Sequence, residues 1–369
     1  MKTTSDHRGR FDLRRLIGLA AVPLIIGCDN PFSIALHDPI TPGPGDLVTY
    51  SLEMQGGSSP KEVRLYEQVS SLSVVEINLV FFKFKYLVVT PGPDVLLNTW
   101  TTPAIGTLTF ARATGMPASS LITYRFEIVE NDNELRQHKV TYAGRDYPLS
   151  ESPIPAYVTG NSSNTYDIVY IPDTDIGNLN TFRDHCRRDI REAFFDEGTT
   201  RLFRHSFNFY VNRQTGHATD YDRISIDGLH QTPSNYTSLS FAEGKVILHQ
   251  NNLRDYTMGD GLYSTEMQNR GTILHESGHG LFALADEYPG GSHWQESVLP
   301  NNWSTMAAAQ TAAPGVGKAA SDAVQIGTDG WYKLCVAKCQ MTTSGLVHDA
   351  YDKPCANRVI YCTIEIASQ

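Results

Sequence analysis

Two histidines four residues apart enclose a glutamate in the stretch His275-Glu276-Ser277-Gly278-His279. On a helix, positions four apart lie on one face, about 5–6 Å from each other. Both imidazoles can then reach one zinc ion at about 2.0–2.1 Å. Glu276 sits one position round the helix, where it can take a proton from an attacking water without becoming a ligand. Zinc brings the pKa of a water down to about 7 and polarises a carbonyl, so these residues at this spacing suit hydrolysis of a peptide bond. The bare five-residue pattern arises by chance, and a surface helix with two incidental histidines is the plain alternative. The flanks argue against it: Ile273 and Leu274 before the motif, and Leu281, Phe282 and Leu284 after it, supply an apolar side to pack on a sheet.

A catalytic zinc takes three protein ligands and leaves one position open, so the histidines need a partner. Asp286 is the expected third ligand, with Glu287 second in line. In an unbroken helix Asp286 would share the histidine face but lie about 10 Å beyond His279. The helix must therefore turn back soon after His279. Gly280 weakens it there, and Pro289-Gly290-Gly291 ends any continuation. In this reading Glu287 orients a histidine from behind, and Tyr288 is placed to bond the oxyanion. Met341 is the candidate for an apolar floor beneath the metal, with Met306 as the alternative. Capping or salt-bridging of the turn by Asp286 and Glu287 is the plainer use of two acids.

The elements that would position these residues occupy 155–369. Tyr166-Asp-Ile-Val-Tyr-Ile, Phe207-Asn-Phe-Tyr-Val and Lys245-Val-Ile-Leu-His-Gln read as buried strands. Phe182, Cys186, Ile190 and Phe194 recur every four residues, which predicts a helix with Cys186 as a buried structural thiol. The strand before the motif helix could serve as an edge on which extended peptide adds. Residues 46–150 are different. Val48 to Met54, Val74 to Thr90 and Ile122 to Val129 alternate or are rich in β-branched and aromatic side chains, with Asn131-Asp132-Asn133 as a turn. Short strands at this spacing predict an all-β, immunoglobulin-like sandwich, and no cluster in it suggests catalysis. Pro153-Ile154-Pro155 marks the boundary, and the Pro/Gly-rich stretch within 28–45 reads as a tether.

Residues 1–27 form an expected signal peptide: five basic side chains, then an apolar run from Leu16 to Gly27 that is short for a membrane span. The run ends in Leu24-Ile25-Ile26-Gly27-Cys28, which resembles the lipobox of bacterial lipoproteins and implies lipidation at Cys28 and attachment to a membrane of the bacterial cell envelope. An ordinary signal peptide containing a cysteine is the alternative. The whole chain carries −10 and its first 27 residues +3, so the remainder is strongly acidic and nucleic acid is a poor partner. Four of the other cysteines (Cys335, Cys339, Cys355 and Cys362) crowd the C-terminal end. Their spacings do not match paired C-x2-C zinc ligands, and export favours two disulfides, with Cys339–Cys355 as the first pair.

The segment from His275 to Tyr288 resembles the H-E-x-G-H…L-A-D-E-Y signature of the M64 peptidases, a family named for an IgA-cleaving endopeptidase. Asp167-Ile-Val-Tyr-Ile-Pro-Asp, the helix from Phe182 and Phe207-Asn-Phe-Tyr-Val follow the family's order. Cys339-Gln-Met341 with Cys355 is similar to its C-x-M…C region. The likeness covers about 166–362 and implies an α+β zincin (metzincin-like) domain with one Zn2+ and endopeptidase activity. Two departures stand out: Phe282-Ala283 replaces an expected glycine, and Pro172-Asp-Thr-Asp replaces G-D-G-Y. The expected function is a zinc metallo-endopeptidase acting on protein or peptide substrates at the cell envelope. A non-enzymatic envelope binding module, or a zinc hydrolase of cell-wall peptides, are the competing readings.

Overall fold

The computed structural model describes residues 32–55, 59–78, 83–130, 135–160, 163–267, 269–293, 301–334, 339–342 and 351–368. The expected signal peptide, Cys28, Cys335 and the turn at Asn131-Asp132-Asn133 lie outside them. Among the described residues no helix is long and apolar enough to cross a membrane.

The first half is all antiparallel. β1 (Phe32–Ile34), β2 (Thr49–Met54) and β6 (Gly106–Ala111) form one sheet in the order β1-β2-β6. β3 (Glu62–Asn78), β4 (Lys83–Thr90), β5 (Asp94–Thr101), β7 (Ser120–Val129) and β8 (Leu135–Ala143) form the other, ordered β4-β3-β7-β8 with β5 also on β3. Alternating burial along β2 and β7 follows from one face of each strand being turned inward. Tyr50 of one sheet stacks on Tyr124 of the other with ring centroids 4.4 Å apart. The tether expected over 28–45 is folded from Phe32 onward. Phe32, Ser33 and Ile34 pair with Met54, Glu53 and Leu52, and Ile34, His37 and Ile40 are buried. The prolines and glycines that suggested a linker instead turn the chain around the edge of this sheet.

The second half is built on a five-stranded sheet ordered β13-β12-β10-β11-β9, from β9 (Ile154–Tyr157), β10 (Tyr166–Pro172), β11 (Phe207–Val211), β12 (Gly244–His249) and β13 (Leu262–Glu266). The last four in sequence are mutually parallel, and β9 is antiparallel at one edge. Parallel pairing needs crossovers and layers on both faces, which is why β10 and β12 read as continuous apolar runs and are buried throughout. Side chains alternate between the layers. Ile168, Tyr170, Val246 and Leu248 face the main core, while Val169, Ile171 and Ile247 face a smaller cluster with Leu239 and Leu262.

α1 (Leu179–Asp189) makes the first crossover, capped by Asn178, whose side chain accepts from the N–H groups of Asn180 and Thr181. Phe182 and Cys186 lie on its buried face as the spacing predicts, and the helix widens into a π-turn over Ile190–Phe195, where Ile190 and Phe194 continue the stripe. α2 (Arg270–Phe282) follows β13 and carries the motif. α3 (Met306–Ala312) and α4 (Lys353–Ala367) complete the helices used below.

The two halves share one hydrophobic core rather than two. Arg204 crosses between them, buried, with its guanidinium bonded to Glu53 at 2.7 Å, Ser33 at 2.9 Å and the Phe195 carbonyl. A buried cation bonded through all three guanidinium nitrogens is costly to unpair, so this contact fixes the halves together.

Candidate metal centre

Gly280 does not end the motif helix. α2 runs on to Phe282, and the reversal falls at Ala283, which takes the left-handed conformation at φ 52° and ψ 41°. Its N–H and that of Leu284 both bond the Gly278 carbonyl, closing the helix end. This is where a glycine would ordinarily sit, and alanine adopts the same turn at a steric cost. The returning chain is held by Asn301, whose amide accepts from Ala285 N–H at 3.0 Å and donates to Ala285 C=O at 2.7 Å.

The two glycines of the motif serve packing instead. A Cβ on Gly280 would press on the Tyr263 ring at 3.3 Å, so its absence lets α2 lie close on β13. A Cβ on Gly278 would lie 2.6 Å from Met341 Sδ. Met341 is fully buried against this face of α2, as expected of a floor, whereas Met306 opens α3 and packs on a separate cluster.

With the chain reversed, Asp286 comes back to the histidines. Its Oδ1 lies 3.1 Å from His275 Nε2 and 3.2 Å from His279 Nε2, and the two Nε2 atoms are 3.3 Å apart. Nδ1 of His275 points to the Gln340 carbonyl at 2.8 Å, and Nδ1 of His279 to the Leu284 carbonyl at 2.6 Å. Each carbonyl accepts from Nδ1–H, which turns both Nε2 atoms toward Asp286. Donor atoms so close repel unless a cation lies among them, a proton on Nε2 or a metal ion. Four ligands at about 2.05 Å in a tetrahedron stand about 3.3 Å from one another, and the triangle has those edges. The donor set therefore fits zinc.

Charge follows the same geometry. Burial alone disfavours a charged His275, but the hydrogen bond to Asp286 and the charges of Glu276 and Asp286 outweigh it and push it up to about 9. Burial would raise the carboxyl of Asp286, but hydrogen bonds from both histidines hold it well below the usual carboxylate range. Glu276 is raised by burial, and its Oε2 accepts from the Thr257 hydroxyl at 2.7 Å.

A cleft of about 320 Å³ opens onto this triangle, with Tyr256, Thr257 and Met258 on one side and Tyr288, Gly291 and Ser292 on the other. Thr257 was not foreseen. Its segment runs antiparallel along the outer side of β13, with Met258 N–H on Leu262 O at 2.7 Å and a bridge between Thr257 and Tyr263. The strand preceding the motif helix, expected to offer a free edge, is thus covered, and 256–258 forms the rim. A buried pair behind it, His249 Nε2 to Asp255 Oδ1 at 2.7 Å with Ser264 on the same oxygen, ties the rim to β12 and β13. Tyr288 lines the cleft beside Asp286 and Arg254.

Glu287 does not orient a histidine, since both Nδ1 atoms are taken by backbone carbonyls. It turns away from the metal side, receives the Cys355 thiol at 3.1 Å and Asn301 Nδ2 at 3.2 Å, and is pushed up to about 8 by burial. No disulfide bond links the described cysteines: Cys186, Cys339, Cys355 and Cys362 are buried thiols, and Cys335 lies outside the described residues. Cys362 lies two turns beyond Cys355 on α4, about 10 Å along the axis, and so out of its reach.

No protein-family model matches the sequence, and no curated protein matches it. Similar solved structures are distant. The sporulation control protein Spo0M from Bacillus subtilis is 11% identical over 31% of this chain and 48% of its own, at a TM-score of 0.20. A cycloisomaltooligosaccharide glucanotransferase from Paenibacillus sp. is 13% identical over 44% and 19%, at 0.15. Cwp6 from Clostridium difficile is 8% identical over 70% and 42%, at 0.17. This chain spans less than half of each, and likenesses of this size bear neither on its fold nor on its activity.

Proposed function

We propose that the chain is a zinc-dependent metallo-endopeptidase of zincin type, exported and lipid-anchored at Cys28 to the bacterial cell envelope, with the antiparallel half as an immunoglobulin-like spacer. The observation that carries this reading is the triangle of His275 Nε2, His279 Nε2 and Asp286 Oδ1, with edges of 3.1, 3.2 and 3.3 Å, beside a buried carboxylate. Similarity of residues 275–288 to the M64 signature agrees with it. Bound zinc would supply Lewis acidity, making a water more acidic and a scissile carbonyl more electrophilic.

The chain's own residues supply the remainder. Glu276 Oε2, fixed by Thr257, faces the cleft and takes the proton of the attacking water, then passes it to the leaving amine. Gln340 and Leu284 carbonyls accept from the Nδ1 atoms and hold both imidazoles with Nε2 aimed at the shared point. Tyr288, on the cleft wall, is the candidate donor to the oxygen on which charge develops.

The test is metal analysis with turnover of an unstructured protein such as casein. About one equivalent of zinc, loss of turnover on chelation, and Glu276→Ala protein that keeps zinc but loses about 10²–10⁴-fold in kcat are expected. A Glu276→Ala protein within about tenfold of wild-type rate would sink the assignment.

A further inference from the structure

Behind the metal centre, on the far side of the returning chain, stands a second cluster. Cys339 Sγ, Cys355 Sγ and a carboxylate oxygen of Glu287 all lie within 4.8 Å of one another, and all three residues are buried. The Cys355 thiol donates to Glu287 Oε1 at 3.1 Å, and the Asp352 N–H donates to Cys339 Sγ at 3.3 Å. Glu287 Oε2 is buried with no hydrogen-bond partner among the described residues. Cys339 opens the turn Gln340–Thr342, whose Gln340 carbonyl orients His275 and whose Met341 fills the space beside Gly278. Cys355 belongs to the first turn of α4.

We propose that Cys339 and Cys355 are an oxidation site that closes to a disulfide on export and staples the metal-supporting turn to α4. This rests on the export reading, and its effect on the metal rests on the proposed zinc centre. The oxidant is a disulfide R–S–S–R, of a protein oxidoreductase or of glutathione. One cysteine, as thiolate, bonds to one sulfur of R–S–S–R and expels R–SH. The other then attacks that mixed disulfide, forms the Cys339–Cys355 bond and releases the second R–SH. Two protein thiols are oxidised, one disulfide is reduced to two thiols, and the two protons leave with the R–SH products. Both sulfurs are buried in the folded chain, so exchange takes place while α4 is still docking, and the closed bond is then shielded from reductants.

A divalent ion in the same cluster is the competing occupant. Two thiolates and an ionised carboxylate around it would bury three negative charges against two positive ones, whereas the disulfide itself carries no charge.

The experiment uses the full exported chain purified without reductant, denatured, alkylated, digested and mapped by mass spectrometry. Peptides joined through Cys339 and Cys355 are expected. Recovery of both cysteines as alkylated thiols overturns the proposal. In the folded protein, zinc release to a chromogenic chelator should become about tenfold faster once a phosphine reductant opens the bond. A double variant, Cys339→Ser with Cys355→Ser, should release zinc at the fast rate with or without phosphine. Loss of a second equivalent of metal in that variant would mean that the cluster holds an ion instead. The mapping needs no activity. A chain with the crosslink but no zinc supports the staple and defeats the peptidase reading, and one with zinc but two free thiols does the reverse.

Discussion

Replacing Thr257 by valine removes one hydroxyl and almost no volume; that hydroxyl lies 2.7 Å from Glu276 Oε2 and 3.1 Å from the Glu276 carbonyl. The acceptor is a carboxylate that is only 4% exposed, so the donor is lost from a largely buried group. Hydrogen bonds to charged groups contribute about 1.5–3 kcal/mol. At 1.36 kcal/mol per factor of ten, the full loss corresponds to about 10–150-fold. Thr257→Val should therefore lower kcat by about 10–100-fold with KM and zinc content unchanged. The pH profile adds a second reading. The hydroxyl stabilises the charged form of Glu276 and so holds its pKa down against burial. Without the donor that pKa rises, and the acid limb of kcat moves to higher pH by about 1–2 units. Thr257→Ser keeps the donor and should restore both. Steady-state kinetics from acid to neutral pH, with metal content measured on each variant, decides the matter. A valine variant within about twofold of wild type and with an unmoved acid limb would refute the claim that Thr257 fixes the base.

Asp286→Ala should weaken zinc binding by more than the roughly 10–100-fold seen when outer contacts are lost, while Glu287→Ala keeps the metal; chelator competition on both variants checks this, and the opposite pattern would reassign the ligand. Ala283→Gly should raise stability by about 0.5–1 kcal/mol, because glycine removes a left-handed strain of about 1–2 kcal/mol at a smaller entropic cost; a denaturation midpoint that falls would contradict it. Zinc must displace a proton from His275, which sits at about 9 in the metal-free site. Affinity should therefore weaken about tenfold per pH unit below that value and level off above it, and titrations with a flat profile from neutral to pH 9 would count against the shared site.

What could be read from the sequence was local. The i, i+4 histidines and Glu276 were legible because one helix suffices to bring them together. β10 and β12 were legible because strands covered on both faces have no polar interruptions. Asp286 was legible only as a candidate, because a third ligand was needed and the helix had to turn back to supply it. The turn that brings it back could not be placed, because Ala283 carries no sign of a left-handed backbone and Gly280 carries a false one. Thr257 and Asn301 were silent for another reason. Each acts through a contact between segments distant in the chain, and an ordinary threonine or asparagine in a loop has no periodicity to betray it. β1 was hidden in a Pro/Gly-rich stretch because three residues are too few to alternate, and its pairing is imposed by β2.

The choice between Asp286 and Glu287 as ligand turns on phase more than on carboxylate chemistry. Past Ala283 the backbone is no longer helical, and successive side chains point to opposite sides, as along a strand. Asn301 grips both backbone groups of Ala285, which fixes the phase of everything after it. Asp286 then faces the imidazoles, and Glu287 faces the thiols of Cys339 and Cys355. The backbone N–H of Glu287 donates to the Met341 carbonyl at 2.7 Å, so the same residue that is excluded from the metal holds the floor beneath it. The proposed metal centre and the thiol pair thus lie on two faces of one short segment, and a change that slips its register by one residue would exchange Asp286 for Glu287 at the histidines.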